Sequence, residues 1–156
     1  MIKTNAMRML TAAKIPFESL EYTVDESDLS GVHIAEQIGY PVEQVFKTLV
    51  AKGDKTGYVV FCIPAAEELD LRRVAALTGN KRIEMVAVKD LLGITGYIRG
   101  GCSPIGMKKK FPTWIDESAL HFEKITVSSG TKGAQLLLDR ARLVEFVQAK
   151  LANLTV

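Results

Sequence analysis

Residues 46–63 read Phe46-Lys47-Thr48-Leu49-Val50-Ala51-Lys52-Gly53-Asp54-Lys55-Thr56-Gly57-Tyr58-Val59-Val60-Phe61-Cys62-Ile63, two apolar runs around a polar turn bounded by glycines. β-Branched and aromatic residues fill both runs, so the stretch predicts a hairpin with strands over 46–52 and 58–63. Both strands are apolar on both faces, which marks them as central strands of a covered sheet. One residue departs from the pattern. Alternation puts Lys47 on a face with Leu49 and Ala51, where an apolar side chain is expected. An ammonium buried without a partner is costly, so such a lysine pairs with a carboxylate, faces a polar cavity, or stays in water at a frayed strand end. In a cavity it would serve as a fixed cation for a phosphate, a carboxylate or a developing oxyanion.

Upstream of the hairpin, residues 4–15 predict a helix capped by Thr4 or Asn5, with Ala6, Met9, Leu10 and Ala13 on one face and Pro16 at its end. A strand over 17–22 follows, then an acidic loop, Asp25-Glu26-Ser27-Asp28. Ser30 caps a short helix to Ile38, closed by Gly39, and Pro41 to Val45 adds one helical turn. Downstream, Asp70 caps a helix ended by Gly79, residues 82–86 form a strand, and residues 88–92 form a short helix. Strands are expected over 113–115, 120–127 and 134–138. The parity slip between Phe122 and Ile125 predicts a β-bulge. Asp139 caps a final helix pointing Leu143, Val147 and Leu151 to the core. Helices and hairpins mix irregularly, with no repeat and no linker. The expectation is an α+β single domain over 1–156: a curled mixed β-sheet, partly barrel-like, surrounded by helices.

The chain has 156 residues, a formal net charge of +2, 47% hydrophobic and 24% charged residues, which suits one soluble domain with a real core. Two cysteines, Cys62 and Cys102, are too few for a disulfide framework. Neither they nor His33 and His121 have metal-ligand spacing, so no metal site is expected. No apolar signal core or membrane-length run is present, which predicts a cytoplasmic protein without a membrane partner.

Residues 96–110, Gly96-Tyr97-Ile98-Arg99-Gly100-Gly101-Cys102-Ser103-Pro104-Ile105-Gly106-Met107-Lys108-Lys109-Lys110, hold four glycines, one proline and four cations. Neither helix nor strand tolerates that composition, and glycine lets a ligand approach the backbone closely. Exposed N–H groups beside Arg99 and the lysine run suit an anion, although a solubilising turn followed by solvated charges fits the same residues. A phosphate-binding P-loop is excluded, because Met107 follows Gly106 and no hydroxyl follows Lys108. Cys102 has no histidine nearby in sequence to activate it and fits a small loop-filling role. The Ser128-Ser129-Gly130 turn offers hydroxyls and N–H groups at a strand end. No serine–histidine–acid triad is in view.

Several segments together resemble the YbaK/EbsC family of aminoacyl-tRNA deacylases. They are Lys14-Ile15-Pro16-Phe17, Phe46-Lys47-Thr48-Leu49, Leu69-Asp70-Leu71, Glu84-Met85, Thr95-Gly96-Tyr97 with Gly100-Gly101-Cys102-Ser103-Pro104-Ile105-Gly106, and Val127-Ser128-Ser129-Gly130. The resemblance covers nearly the whole chain, and the Gly-Gly-x-Ser-Pro-x-Gly signature is its most specific part. It is similar to the branch that clears cysteine mischarged onto proline tRNA, related to the editing insertion of bacterial prolyl-tRNA synthetases. The resemblance implies the same curled mixed sheet. It also implies a pocket for the terminal adenosine and its aminoacyl ester, lined by Lys47, Tyr22, Gly100 and Ser128. Gly101 joins Gly100 as a backbone donor, and Cys102, Ser103, Pro104, Ser129 and Gly130 are further substrate contacts. Arg99, Lys108, Lys109 and Lys110 are the expected tRNA-binding cations. No protein nucleophile and no cofactor are implied, since the substrate's own thiol attacks its ester. The partners implied are mischarged tRNA, proline tRNA first, and prolyl-tRNA synthetase second. The alternative is a module that binds tRNA or the synthetase through Lys108 to Lys110 without catalysis; a third class is a regulatory nucleotide binder.

Overall fold

The computed structural model describes residues 3–156. The hairpin is its centre: β2 (Phe46–Gly53) and β3 (Gly57–Pro64) pair antiparallel from Phe46↔Pro64 to Gly53↔Gly57. They lie inside a five-stranded sheet ordered β4-β2-β3-β5-β8, where β4 is Ile83–Met85, β5 is Thr113–Asp116 and β8 is Lys150–Ala152. The β3–β5 and β5–β8 pairings are parallel, so this sheet is mixed. A second, antiparallel sheet has the order β1-β7-β6, from Phe17–Glu21, Ala134–Asp139 and Lys124–Ser128.

One parallel bridge, Val45↔Thr126, joins the sheets among the described residues. The α+β expectation holds, and the partly barrel-like curl stops short of closure. Beyond Val45 the chain enters β2 and leaves β6, so two sheets meet at a seam without closing into a barrel.

Fully buried Phe46, Cys62 and Ile115 from one sheet pack on Ile125, Leu136 and Leu138 from the other. α1 (Asn5–Ala12) and α5 (Arg140–Phe146) add Leu10 and Leu143 to this core. On the opposite face of the hairpin, Val59, Phe61 and Ile63 pack under Val74 of α3 (Leu71–Thr78). Cover on both faces is why β3 shows no polar alternation. α2 (Gly31–Ile38) and α4 (Val88–Thr95) complete the domain. Ser30 and Asp70 accept N–H bonds from His33 and Arg73 as N-caps, and Gly39 and Gly79 close their helices in the left-handed conformation. No helix of the described residues is long and apolar enough to cross a membrane.

Three local expectations fail. In α1, Met7 is buried and Met9 is 37% exposed. Residues 117–121 form a 3-10 helix whose start is held by the Asp116 carboxylate accepting from Ser118 N–H. The parity slip after Phe122 is therefore the passage into β6 at Lys124, with no bulge. The last helix stops at Phe146, the chain reverses through Gln148 at φ 54°, and Leu151 lies in β8 beside β5.

Candidate functional site

β4 covers β2 only from Ala51 to Gly53, and β6 bridges to this stretch at Val45, just before β2 begins. Between them, the edge of β2 around Thr48 has no strand pairing among the described residues. Val50 C=O accepts from Val86 N–H at 3.1 Å on this side, so the antiparallel alternation turns the main-chain groups of Thr48 to the same open edge. A cavity of about 400 Å³ opens against this edge. Its walls come from the start of α2, the segment after β4, the glycine loop and the end of the β6–β7 hairpin. The lining is mostly apolar, with Leu29, Ile34, Val45, Met85 and Leu91 among it.

Five of the sequence-predicted residues meet on this wall: Lys47, Arg99, Gly100, Cys102 and Ser128. Lys47 keeps the expected face, opposite Ile63, with Leu49 opposite Phe61. It is partly buried, and its ammonium makes no ion pair among the described residues. Burial pulls its pKa below the ordinary lysine value, while Glu68 and then Glu67 oppose the shift. The proton should therefore leave Lys47 at lower pH than it leaves exposed lysines, and Glu68→Gln should lower that pH further. Side-chain 13C NMR titration checks both, and a Lys47 that titrates with the exposed lysines contradicts them.

Gly100 adopts φ +86°, which favours glycine, and its N–H has no protein partner among the described residues. Ser128 Oγ accepts from Gly130 N–H at 3.2 Å, so its own proton remains available. Cys102 is 7% exposed, and burial pushes its thiol up to about 11. At neutral pH it is a thiol and a poor nucleophile.

The other predicted residues stand off the wall, and most shape it. Gly101 does not offer a free donor: its N–H closes a turn onto Ile98 C=O at 3.0 Å. A Cβ there would lie 3.1 Å from the main chain of Thr131 and Lys132, so glycine is what lets the two loops touch. Gly130, at φ +102°, would place a Cβ 2.9 Å from the Tyr97 ring, and the Tyr97 hydroxyl donates to Ile105 C=O. Ser103 Oγ is buried and accepts from Ile105 N–H, and Ser129 N–H donates to Ala134 C=O in the hairpin turn. Pro104 is buried and lines a separate depression. Tyr22 follows β1, donating its N–H to Gly133 C=O, and is not on the cavity wall.

Of the expected RNA-binding cations, exposed Arg99 is at the cavity. Lys109 and Lys110 line the second depression, with Phe111 and Phe146, and the Lys108 stem covers Gly96. Among the described residues no cluster of His, Cys, Asp or Glu is arranged to hold a metal ion.

Sequence reasoning missed Gln135, Gly31 and Lys132. Gln135 is 4% exposed on the cavity wall, across from Ser128 in the β6–β7 register. Its Oε1 accepts from Thr126 Oγ1 at 3.3 Å, and its amide nitrogen has no protein partner among the described residues. A polar residue inside the apolar run 134–138 is the same signal that marked Lys47. Gly31 begins α2 so close to β3 that a Cβ would lie 2.2 Å from Ala65 Cβ. Its place directly after the Ser30 cap was the available clue.

The cavity thus joins an apolar lining to a partly buried ammonium, a free N–H, a hydroxyl and an amide, without a base beside a nucleophile. That set can bind and polarise a small ester next to a nucleotide. Residues 30–146 match the family model described as the aminoacyl-tRNA editing domain. Over 153 residues, 98% of this chain and 93% of its relative, the chain is 46% identical to EbsC of Enterococcus faecalis, named as a candidate Cys-tRNA(Pro)/Cys-tRNA(Cys) deacylase. It is 27% identical over 106 residues to the proline–tRNA ligase of Thermosipho melanesiensis, covering 60% of this chain and 18% of the ligase. A crystal structure described as a candidate trans-editing enzyme for prolyl-tRNA synthetase aligns over 100% of this chain and 99% of its own, with a TM-score of 0.83 and 23% identity. The hypothetical protein APE2540 aligns over 96% and 97%, with a TM-score of 0.86 and 20% identity, and these two likenesses establish the fold. With the family model spanning most of the chain and a near full-length relative at that identity, the chain belongs to the aminoacyl-tRNA editing-domain family.

Proposed function

We propose that this protein removes cysteine in trans from mischarged tRNA, with cysteinyl-tRNA of proline as its substrate. The carrying observation is the partly buried ammonium of Lys47, without an ion-pair partner among the described residues, on a mostly apolar cavity wall where the described residues include no activated nucleophile. The name of the 46% identical relative supports the same substrate. The reacting sulfur then comes from the substrate. Cysteine's thiol gives up its proton and attacks the ester carbonyl carbon, so that an S–C bond forms. The C–O bond to the ribose breaks, the ribose oxygen leaves as a hydroxyl with a proton, and water opens the resulting thiolactone.

Lys47 holds the oxyanion, and the Gly100 N–H, the Ser128 hydroxyl and the Gln135 amide orient the ester and the terminal ribose. Burial strengthens each of these interactions relative to water. A cavity of about 400 Å³ is larger than one cysteine side chain needs and leaves room for part of the terminal nucleotide. Rejection by size alone is worth about 1–3 kcal/mol per methylene, so chemistry, not volume, does most of the discriminating. Proline tRNA is the first partner and prolyl-tRNA synthetase, which would supply the mischarged tRNA, the second. The test compares proline tRNA charged with cysteine and with serine. The serine hydroxyl fits the same space but attacks poorly, so serine should persist while cysteine is released.

A further inference from the structure

Lys132, in the turn between β6 and β7, holds its ammonium 3.1 and 3.2 Å from the two carboxylate oxygens of Glu26. The Glu26 side chain is 70% exposed and that of Lys132 only 24%. The Lys132 methylenes pack over Gly100, with Cγ and Cε each 3.4 Å from the position a Cβ would take, and Leu29 Cδ1 lies 3.7 Å from that position. Gly100 and Leu29 both line the cavity. The ammonium is therefore fixed by its stem at the edge of the site, and an anion entering along Gly100 meets it.

The carboxylate that covers it is the easily released one of its segment. Asp25 Oδ1 accepts from Ser27 N–H at 2.9 Å and from Ser27 Oγ at 2.6 Å, and Asp28 Oδ1 accepts from Ser30 N–H at 3.0 Å. His33 stands 4.0 Å from each of these two aspartates. Glu26 has Lys132 as its one partner among the described residues. A lone exposed ion pair is weak, and a phosphodiester presents two charged oxygens much as a carboxylate does.

We propose that Lys132 is a phosphate-binding residue of this site, masked by Glu26 until the 3′ end of an RNA displaces the carboxylate. The inference rests on the editing function in taking RNA as the ligand. On binding, the Lys132 ammonium exchanges Glu26 for a phosphodiester among the last nucleotides, and Glu26 turns into solvent.

The test measures anisotropy of a labelled, uncharged RNA hairpin ending in single-stranded CCA, on the full-length protein. Glu26→Gln should bind about two- to fivefold tighter, the scale of an exposed ion pair. Lys132→Met, which keeps the packing over Gly100, should bind more weakly and flatten the log–log salt slope by about 0.7–0.9. In the Lys132→Met background, Glu26→Gln should change nothing. Equal tightening in both backgrounds would show that Glu26 acts through net charge alone and would overturn the proposal. Unchanged affinity of Lys132→Met would overturn it as well. If the wild type still releases cysteine from charged tRNA, either result removes this inference only; a wild type that neither binds the hairpin nor cleaves the ester removes the editing function with it.

Discussion

Lys47→Ala should lower the single-turnover rate of cysteine release by about 10²–10³-fold while leaving the thermal midpoint unchanged or slightly higher, the range lost with one oxyanion donor in other enzymes. The rate falls because the cavity loses the one ammonium on its wall that is partly buried and has no carboxylate partner among the described residues. The fold survives because Lys47 contributes a main-chain ladder position opposite Ile63, which alanine keeps. Removing a cation that burial already disfavours relieves the folded state. Parallel measurement of rate and melting separates the two effects. A Lys47→Ala protein with wild-type turnover would remove Lys47 from the mechanism.

Gly31→Ala should cost about 1–3 kcal/mol of stability and most of the activity, because its Cβ would meet Ala65 Cβ at 2.2 Å. Neither atom can yield by rotation: one begins α2, and the other follows β3 with its N–H bonded to Val45 C=O at 2.8 Å. Relief requires the helix start to move outward, carrying Leu29 and Ser30 off the cavity wall. Ala65→Gly in the same chain should restore both properties. With the Ala65 Cβ gone, the nearest remaining atom is Ala65 Cα at 3.4 Å, an ordinary contact. Thermal melts of the two single variants and the pair check this, and a double variant no better than Gly31→Ala would contradict it.

The hairpin, α2 and α3 were readable because local signals agreed with the tertiary outcome. Apolar strands flank a glycine turn, and Ser30, Asp70, Gly39 and Gly79 sit where caps act. β8 was not readable. Lys150, Leu151 and Ala152 are helix formers by propensity, and only the parallel place beside Trp114 to Asp116 makes them a strand. Lys47 stood out as a charge in an apolar strand, and Gln135 carried the same signal without being used. The Glu26–Lys132 pair spans 106 residues and left no local trace. Tyr22, Gly101, Ser103, Ser129 and Gly130 lie off the cavity wall in the segments around it, a placement that spacing alone does not give.

The most direct measurement is release of labelled cysteine from cysteinyl proline tRNA, beside the alanyl and prolyl forms of the same tRNA. The account predicts fast loss of cysteine and persistence of proline, with alanine, lacking a thiol, released far more slowly. Alanine lost as fast as cysteine would contradict the substrate-thiol mechanism, and no loss of any amino acid from a folded sample would contradict the enzyme itself.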